Sequence, residues 1–190
     1  MITRREFIRL SAFAGAGIIL GTGLNLDKRR ERFGIIRPPG AQAEERFLER
    51  CARCFKCGNI CPNAAIHFMG PEFGLAALDT PYIIPRDQGC MLCMKCTQVC
   101  PTDALKKIPD RPEDILSKVR MGKAAVDESI CYSYNGRACG VCYRACPFPG
   151  VALKVKLFEQ PVVLDKCVGC GLCEKVCIRN PQAIRVYHNA

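Results

Sequence analysis

Cys90-Met91-Leu92-Cys93-Met94-Lys95-Cys96-Thr97-Gln98-Val99-Cys100-Pro101 places four thiols in eleven residues and closes them with a proline. The same C-x2-C-x2-C-x3-C spacing recurs at Cys51, Cys54, Cys57 and Cys61, followed by Pro62. It recurs again at Cys167, Cys170, Cys173 and Cys177, followed by Ile178. A further quartet, Cys131, Cys139, Cys142 and Cys146, ends in Pro147 and differs only in the seven residues between its first two cysteines. These four runs use all 16 cysteines of the 190-residue chain.

Three thiolates spaced x2-x2 converge on three irons of one cubane, which is the arrangement bacterial ferredoxins use for [4Fe–4S] clusters. The fourth cysteine, three residues on, starts a turn that reaches another cluster, so two runs interlock. The expected ligands are therefore Cys51, Cys54, Cys57, Cys61, Cys90, Cys93, Cys96, Cys100, Cys131, Cys139, Cys142, Cys146, Cys167, Cys170, Cys173 and Cys177. They would fill four [4Fe–4S] clusters and leave no iron with an open position. That saturation points to an electron carrier and away from substrate chemistry at iron, so no catalytic residue is expected. Two pairings stay open: adjacent (first run with second, third with fourth) and nested (first with fourth, second with third).

The residues around the thiols fit this chemistry. Proline after the last cysteine fixes φ and removes an N–H. Gly58, Gly140, Gly169 and Gly171 let backbone N–H groups approach cluster sulfurs, a contact that tunes potential. Zinc sites usually pair one C-x2-C with a second a dozen or more residues away. C-x2-C pairs also make poor structural disulfides. A zinc or disulfide cysteine-rich binding module is the alternative from another class, and it would lack absorption near 400 nm. No C-x-x-C-H occurs, so covalent haem is not indicated.

Bulk composition agrees. Hydrophobic residues make up 49%, but cysteine inflates that figure and tryptophan is absent. Such a chain is short of bulky core residues, so cluster binding would supply folding free energy. The net charge is +10, half of it from residues 1–43, which carry eight Lys/Arg against three Asp/Glu. Four oxidised clusters with their thiolates contribute about −8. The loaded body of the protein after residue 43 is thus near −3, about +5 from side chains and about −8 from clusters, with no nucleic-acid signal.

The N-terminus reads as an address. Thr3-Arg4-Arg5-Glu6-Phe7-Ile8-Arg9 resembles a twin-arginine export signal. An apolar stretch of 17 residues follows, Leu10 to Leu26, near the lower limit for spanning a bilayer. Ala41-Gln42-Ala43 offers an A-x-A element to a signal peptidase. Cleavage after Ala43 and retention as a membrane anchor are the two readings. The export route suits the thiols, because the twin-arginine system carries folded proteins and clusters can be inserted before the chain meets an oxidising compartment.

The expected fold is α+β: tandem bacterial ferredoxin-like modules, two 2[4Fe–4S] units of small strands and short helices. Residues 1–43 form signal and linker, 44–110 a unit with the first two runs, 111–123 a spacer helix, and 124–190 a unit with the last two. Short apolar segments follow the runs at Ala65–Phe68, Ala104–Leu105, Val151–Leu153 and Ala183–Val186. Strand-like segments precede three of them at Tyr82–Ile84, Ala124–Val126 and Val162–Leu164. Residues Val151 to Leu164 read as a hairpin. Ile115, Leu116 and Val119 give the spacer helix an apolar side, with Gly122 as its stop. The third-run insert, Tyr132 to Ala138, holds an Asn-Gly turn and would shield a cluster, meet a partner, or do neither. His67 and His188 are expected to be ordinary strand or surface residues. Lys56, Lys95, Arg137 and Arg144 stand near the runs as solvated charges that could raise potentials.

The third run, Cys131 through Pro147, resembles the NapG/MauM ferredoxin-type proteins, and so does the fourth with Pro181-Gln182-Ala183-Ile184 after it. The twin-arginine start matches too. The resemblance implies a periplasmic four-cluster protein that works with a polytopic membrane ferredoxin of the NapH/MauN type. Together they would form a quinol dehydrogenase that feeds a periplasmic reductase, with this chain as a non-catalytic electron-transfer subunit. Membrane association would come from that partner or from a retained N-terminal anchor. The alternative partner is a molybdenum-type catalytic subunit of another exported complex, bound directly.

Overall fold

The computed structural model describes residues 34–188. The twin-arginine and apolar segments lie outside them. The elements are short: helix α1 (Glu44–Arg50), α2 (Lys56–Asn59), β1 (Ile66–Phe68), β2 (Pro81–Ile83), α3 (Lys95–Gln98), α4 (Pro112–Lys118), β3 (Lys123–Val126), α5 (Val141–Arg144), β4 (Leu153–Val155), β5 (Pro161–Val163), α6 (Leu172–Lys175) and β6 (Ile184–Tyr187). This is the mixed small-element fold expected of tandem ferredoxin modules.

The strands pair as three antiparallel ribbons. β1 and β2 form a hairpin between the first two runs, with His67 opposite Tyr82. β4 and β5 form the equivalent hairpin between the last two, with Lys154 opposite Val162. β3 and β6 bracket the second half, with Ala124 opposite Val186. The first half is closed in the same way by an isolated bridge between Ala41, before its first run, and Leu105, after its second. The repeat seen in the cysteines is therefore also a repeat of strand pairing.

That bridge corrects one expectation. Residues 34–43 are not a linker in the structure. They form a strap packed onto the first half. Ile36 is buried and bridges Ile83, whose N–H donates to the Ile36 carbonyl at 2.8 Å. Lys106 N–H donates to the Gly40 carbonyl at 2.8 Å, and Gln42 N–H to the Ala104 carbonyl at 3.3 Å. Pro38-Pro39-Gly40 reads locally as a breaker, yet it is the bend that lets the strap turn. Gly40 has φ +79°, and a Cβ there would lie 2.4 Å from the Lys106 carbonyl oxygen, so only glycine fits. A cut after Ala43 would strip the strap from this half.

The core is small and shared. Its largest apolar cluster joins Ile36 and Ile83 to Leu92 and Met94 of the second run. The same cluster takes Ile115, Val119 and Met121 from the α4 region and Val168 from the fourth run. Helix α4 thus does more than separate the halves, because its buried side contributes to the core they share. Its acids fall in the first turn and Lys118 in the last, where they complement the helix dipole. The other two clusters include thiols: Cys131, Cys142, Cys173 and Cys177 in one, Cys96 in the other with Cys51, Cys57 and Cys100 packed against it.

Candidate metal centres

Each run builds the same local unit. A left-handed residue precedes a four-residue helix whose second position is the third cysteine. Those residues are Phe55 (φ 59°) before α2, Met94 (φ 50°) before α3, Gly140 (φ 57°) before α5 and Gly171 (φ 84°) before α6. Arg53, Leu92 and Gly169, one residue before the second cysteines of their runs, also have positive φ. Two left-handed turns so close together fold the backbone around the second cysteine and bring three thiols to one side. A non-glycine residue with positive φ is strained, and the first two runs carry four of them. Gly58 does what the sequence suggested, its N–H acting on the Cys57 thiol, and it also makes room for packing, since a Cβ there would lie 2.7 Å from the Phe68 ring.

Four small cavities are each lined by four thiols. The first site has Cys51, Cys54 and Cys57 of the first run with Cys100 of the second. The second has Cys90, Cys93 and Cys96 with Cys61 of the first run. The third has Cys131, Cys139 and Cys142 with Cys177 of the fourth. The fourth has Cys167, Cys170 and Cys173 with Cys146 of the third. All sixteen cysteines are placed, none twice and none in a disulfide. The thiols come together as adjacent runs, three plus one, and not in the nested arrangement.

The donor set fits a polynuclear cluster. Among the described residues no three His, Cys, Asp or Glu side chains converge on a point that would hold a single metal ion. Tetrahedral zinc needs four donors within about 2.3 Å of one centre. Thiols spread around a cavity suit a cubane instead. Backbone N–H groups of Ala65, Leu92 and Leu105 point at the sulfurs of Cys61, Cys90 and Cys100 from 3.4 Å, the contacts by which a protein tunes such a centre.

Burial pushes the Cys57 and Cys142 thiols up to about 11 and the Cys90 and Cys170 thiols up to about 12. Neighbouring thiols add to the rise, and backbone N–H groups oppose it. Cys96 and Cys173 are also pushed well up by burial, with other thiols adding to the effect. Four thiolates around a dry cavity are untenable without positive charge between them, and iron supplies that charge on binding.

Arginines hold the loops: Arg86 and Arg53, which the sequence did not single out, and Arg144, expected only as a solvated charge near the third run. Arg86 donates to the carbonyl of Cys177 at 2.8 Å and to those of Glu174 and Lys175, where it also meets the helix C-terminus. Arg53 reaches the carbonyls of Leu78 and Ala76 at 2.9 Å and that of Cys51 at 3.3 Å. Arg144 donates to the Cys139 carbonyl and to Glu159 at 2.8 Å. None of these was legible, because each contact spans the chain or depends on loop shape. His67 and His188 line none of the four cavities.

The third-run insert has a structural task. Asn135 donates from its amide to the carbonyls of Glu128, Ser129 and Cys131, and Gly136 takes a left-handed turn at φ 77°. Tyr132 is faced by Arg179 at 4.8 Å and Arg137 at 5.7 Å. Tyr132 and Ser133 line the third cavity together with Ile178 and Arg179 beyond the fourth run. The insert therefore roofs the site that its own Cys131 shares with Cys177.

Comparison with known proteins agrees with this geometry. Residues 50–104 match a model described as a 4Fe-4S dicluster domain, and residues 161–180 one described as a 4Fe-4S binding domain. The ferredoxin-type protein NapG of Escherichia coli (strain K12) is 37% identical over 200 residues, covering 96% of this chain and 84% of that protein. The methylamine utilization ferredoxin-type protein MauM of Methylobacillus flagellatus is 34% identical, covering 96% of this chain and 80% of that protein. MauM of Methylorubrum extorquens is 35% identical, covering 97% and 88%. With such identity along nearly its whole length, the chain belongs to the family of NapG and MauM ferredoxin-type proteins, as an iron–sulfur protein of electron transfer.

Proposed function

We propose that the chain is a four-cluster electron relay. Its sixteen cysteines would hold four [4Fe–4S] clusters in two ferredoxin-like units on either side of α4, the first including the strap from residue 34. A bound cluster supplies one-electron exchange at a centre whose ligands stay in place. The protein's part is to bury the thiols, aim N–H groups at their sulfurs, and exclude water and substrates. The observation that carries this reading is saturation: each cavity has four thiols, three from one run and one from its neighbour.

The setting proposed is the periplasm, reached in a folded state by the twin-arginine route. Electrons would come from a membrane quinol-oxidising partner, a polytopic ferredoxin, and pass to a periplasmic redox acceptor. No helix among the described residues is long and apolar enough to cross a membrane. A unit of this kind needs a membrane partner to draw on a quinol dissolved in the bilayer.

Iron and acid-labile sulfide in anaerobically purified protein test the reading. About sixteen of each per chain, with absorption near 400 nm, are expected for four such clusters. A content near eight would reduce the relay to one unit. A colourless protein with stoichiometric zinc would replace the reading altogether.

A further inference from the structure

The four runs occur in the sequence in one order, and the sites they build touch in another. Within the first half, the first and second sites are neighbours: α2 packs on α3, each run donates its last cysteine to the other, and Cys57 is among the thiols that act on Cys96. Within the second half, α5 packs on α6, and Cys142 of the third site acts on Cys173 of the fourth.

The contact between the halves is made by the second and fourth runs. Cys90 N–H donates to the Cys170 carbonyl at 2.7 Å. Gly89 lies so close that a Cβ would stand 2.7 Å from the Leu172 nitrogen. A Cβ on Gly171 would stand 2.6 Å from Pro85, and one on Gly169 2.5 Å from Gly122. Met121 N–H donates to the Val168 carbonyl at 3.1 Å. Around this seam Leu92 and Met94 share a core cluster with Val168, and both Cys90 and Cys170 pack against it. Arg86 and Lys175 tie the same loops from outside.

We infer that the four sites stand in single file in the order first, second, fourth, third, with the Cys90–Cys170 backbone contact as the crossing between halves. This rests on the proposal that the sites hold [4Fe–4S] clusters. The second and fourth sites are interior. The first and third are terminal, the two ends of the file. The first carries Cys54, the single exposed cysteine of the sixteen. The third lies beside the tip of the β4–β5 hairpin, where Leu157 and Phe158 are exposed.

Removing one site at a time separates this order from the order of the runs. Cys167→Ala deletes the fourth site and should leave the third without a reduced neighbour. The fully reduced variant should then show one simple, uncoupled EPR signal beside a coupled pair. Cys139→Ala deletes the third site and should leave three mutually broadened centres with no isolated signal. If Cys139→Ala gives the isolated signal and Cys167→Ala does not, the file follows the sequence and the inference is wrong. It is equally wrong if neither variant, or both, gives one.

Each variant should keep about three quarters of the wild-type iron. A wild-type protein without iron–sulfur clusters is a failure of the proposed function and not of the order. Iron anomalous scattering from crystals of the intact protein needs no substitution. It should show four centres with the second and fourth innermost, and any other sequence of centres overturns the inference.

Discussion

Arg37→Ala tests whether the strap belongs to the folded unit. Arg37 is 4% exposed. Its guanidinium makes a two-pronged pair with Glu44, at 3.0 and 2.6 Å. It also donates to Thr80 Oγ1 at 3.0 Å and to the Pro81 carbonyl at 2.7 Å, and lies 4.6 Å from the ring centre of buried Phe47. Breaking a buried ion pair from one side costs about 3–5 kcal/mol. Glu44 is 28% exposed and can rehydrate, which lowers that figure. The Pro81 carbonyl cannot, and an unsatisfied buried acceptor costs about 1–3 kcal/mol. A net loss of about 3 kcal/mol follows, equivalent to roughly 100-fold in an equilibrium or a rate. The assay is bleaching of the 400 nm band in urea under anaerobic conditions. Detachment of the strap uncovers Ala104–Lys106 beside Cys100 and takes Pro39 out of the lining of the second site, so the variant should bleach roughly 100-fold faster. Mass spectrometry of the exported protein should also find a mature N-terminus at or before Gly34. Bleaching within about threefold of wild type, which is under 1 kcal/mol, or a terminus at Glu44, would show that the strap is dispensable.

Asn135→Ala removes three hydrogen bonds that shape the third-run insert. A loss of about 1–2 kcal/mol is expected, expressed as early release of roughly one cluster's iron on mild heating; uniform release from all sites would show that the insert does not roof the third site in particular. Removal of iron with a chelator should abolish the cooperative fold, because two of the three core clusters include thiols. In any folded structure that survives, burial holds Cys57 and Cys142 protonated up to about 11 and Cys90 and Cys170 up to about 12. The unfolded thiols ionise from about pH 8.5. Folded thiols then hold protons that unfolded ones have lost, so stability should fall as pH rises from about 9 through 12. Metal-free protein that grows more stable across that window, followed by circular dichroism, would contradict the burial of these thiols.

The clustering of the thiols and the fold class were legible because both are local. Four cysteines within a dozen residues need only the turns around them, and alternation marks short strands such as Leu153–Val155. Pairing of the runs was not legible, because it depends on which helices pack: α2 on α3, and α5 on α6. The strap was hidden for a different reason. Its burial rests on a charged residue, Arg37, whose partners at Thr80 and Pro81 lie more than forty residues away, and on a Pro-Pro-Gly that read as punctuation. Phe55 and Met94 take left-handed conformations that bulky side chains rarely adopt, so composition could not announce the turns they make.

The order of the sites follows from how two repeats of one unit can meet. The halves correspond run by run: the first run to the third, the second to the fourth. A head-to-tail contact would set the second run against the third and keep the file in sequence order. Like faces meeting would set the second run against its counterpart, the fourth. The observed contact joins Cys90 of the second run to Cys170 of the fourth, so each half presents its second run, or that run's counterpart, to the other. Such a contact buries the same loop from each side, and here it uses glycine on both, Gly89 from one and Gly171 from the other. The site each half holds farthest from that loop is left at an end. An outer–inner–inner–outer file is thus what the repeat produces once its second-run loops are its sticky face. Because a head-to-tail contact would instead leave a second-run loop uncovered at one end, substitution of Gly89 or Gly171 by valine should disrupt the seam from either side alike.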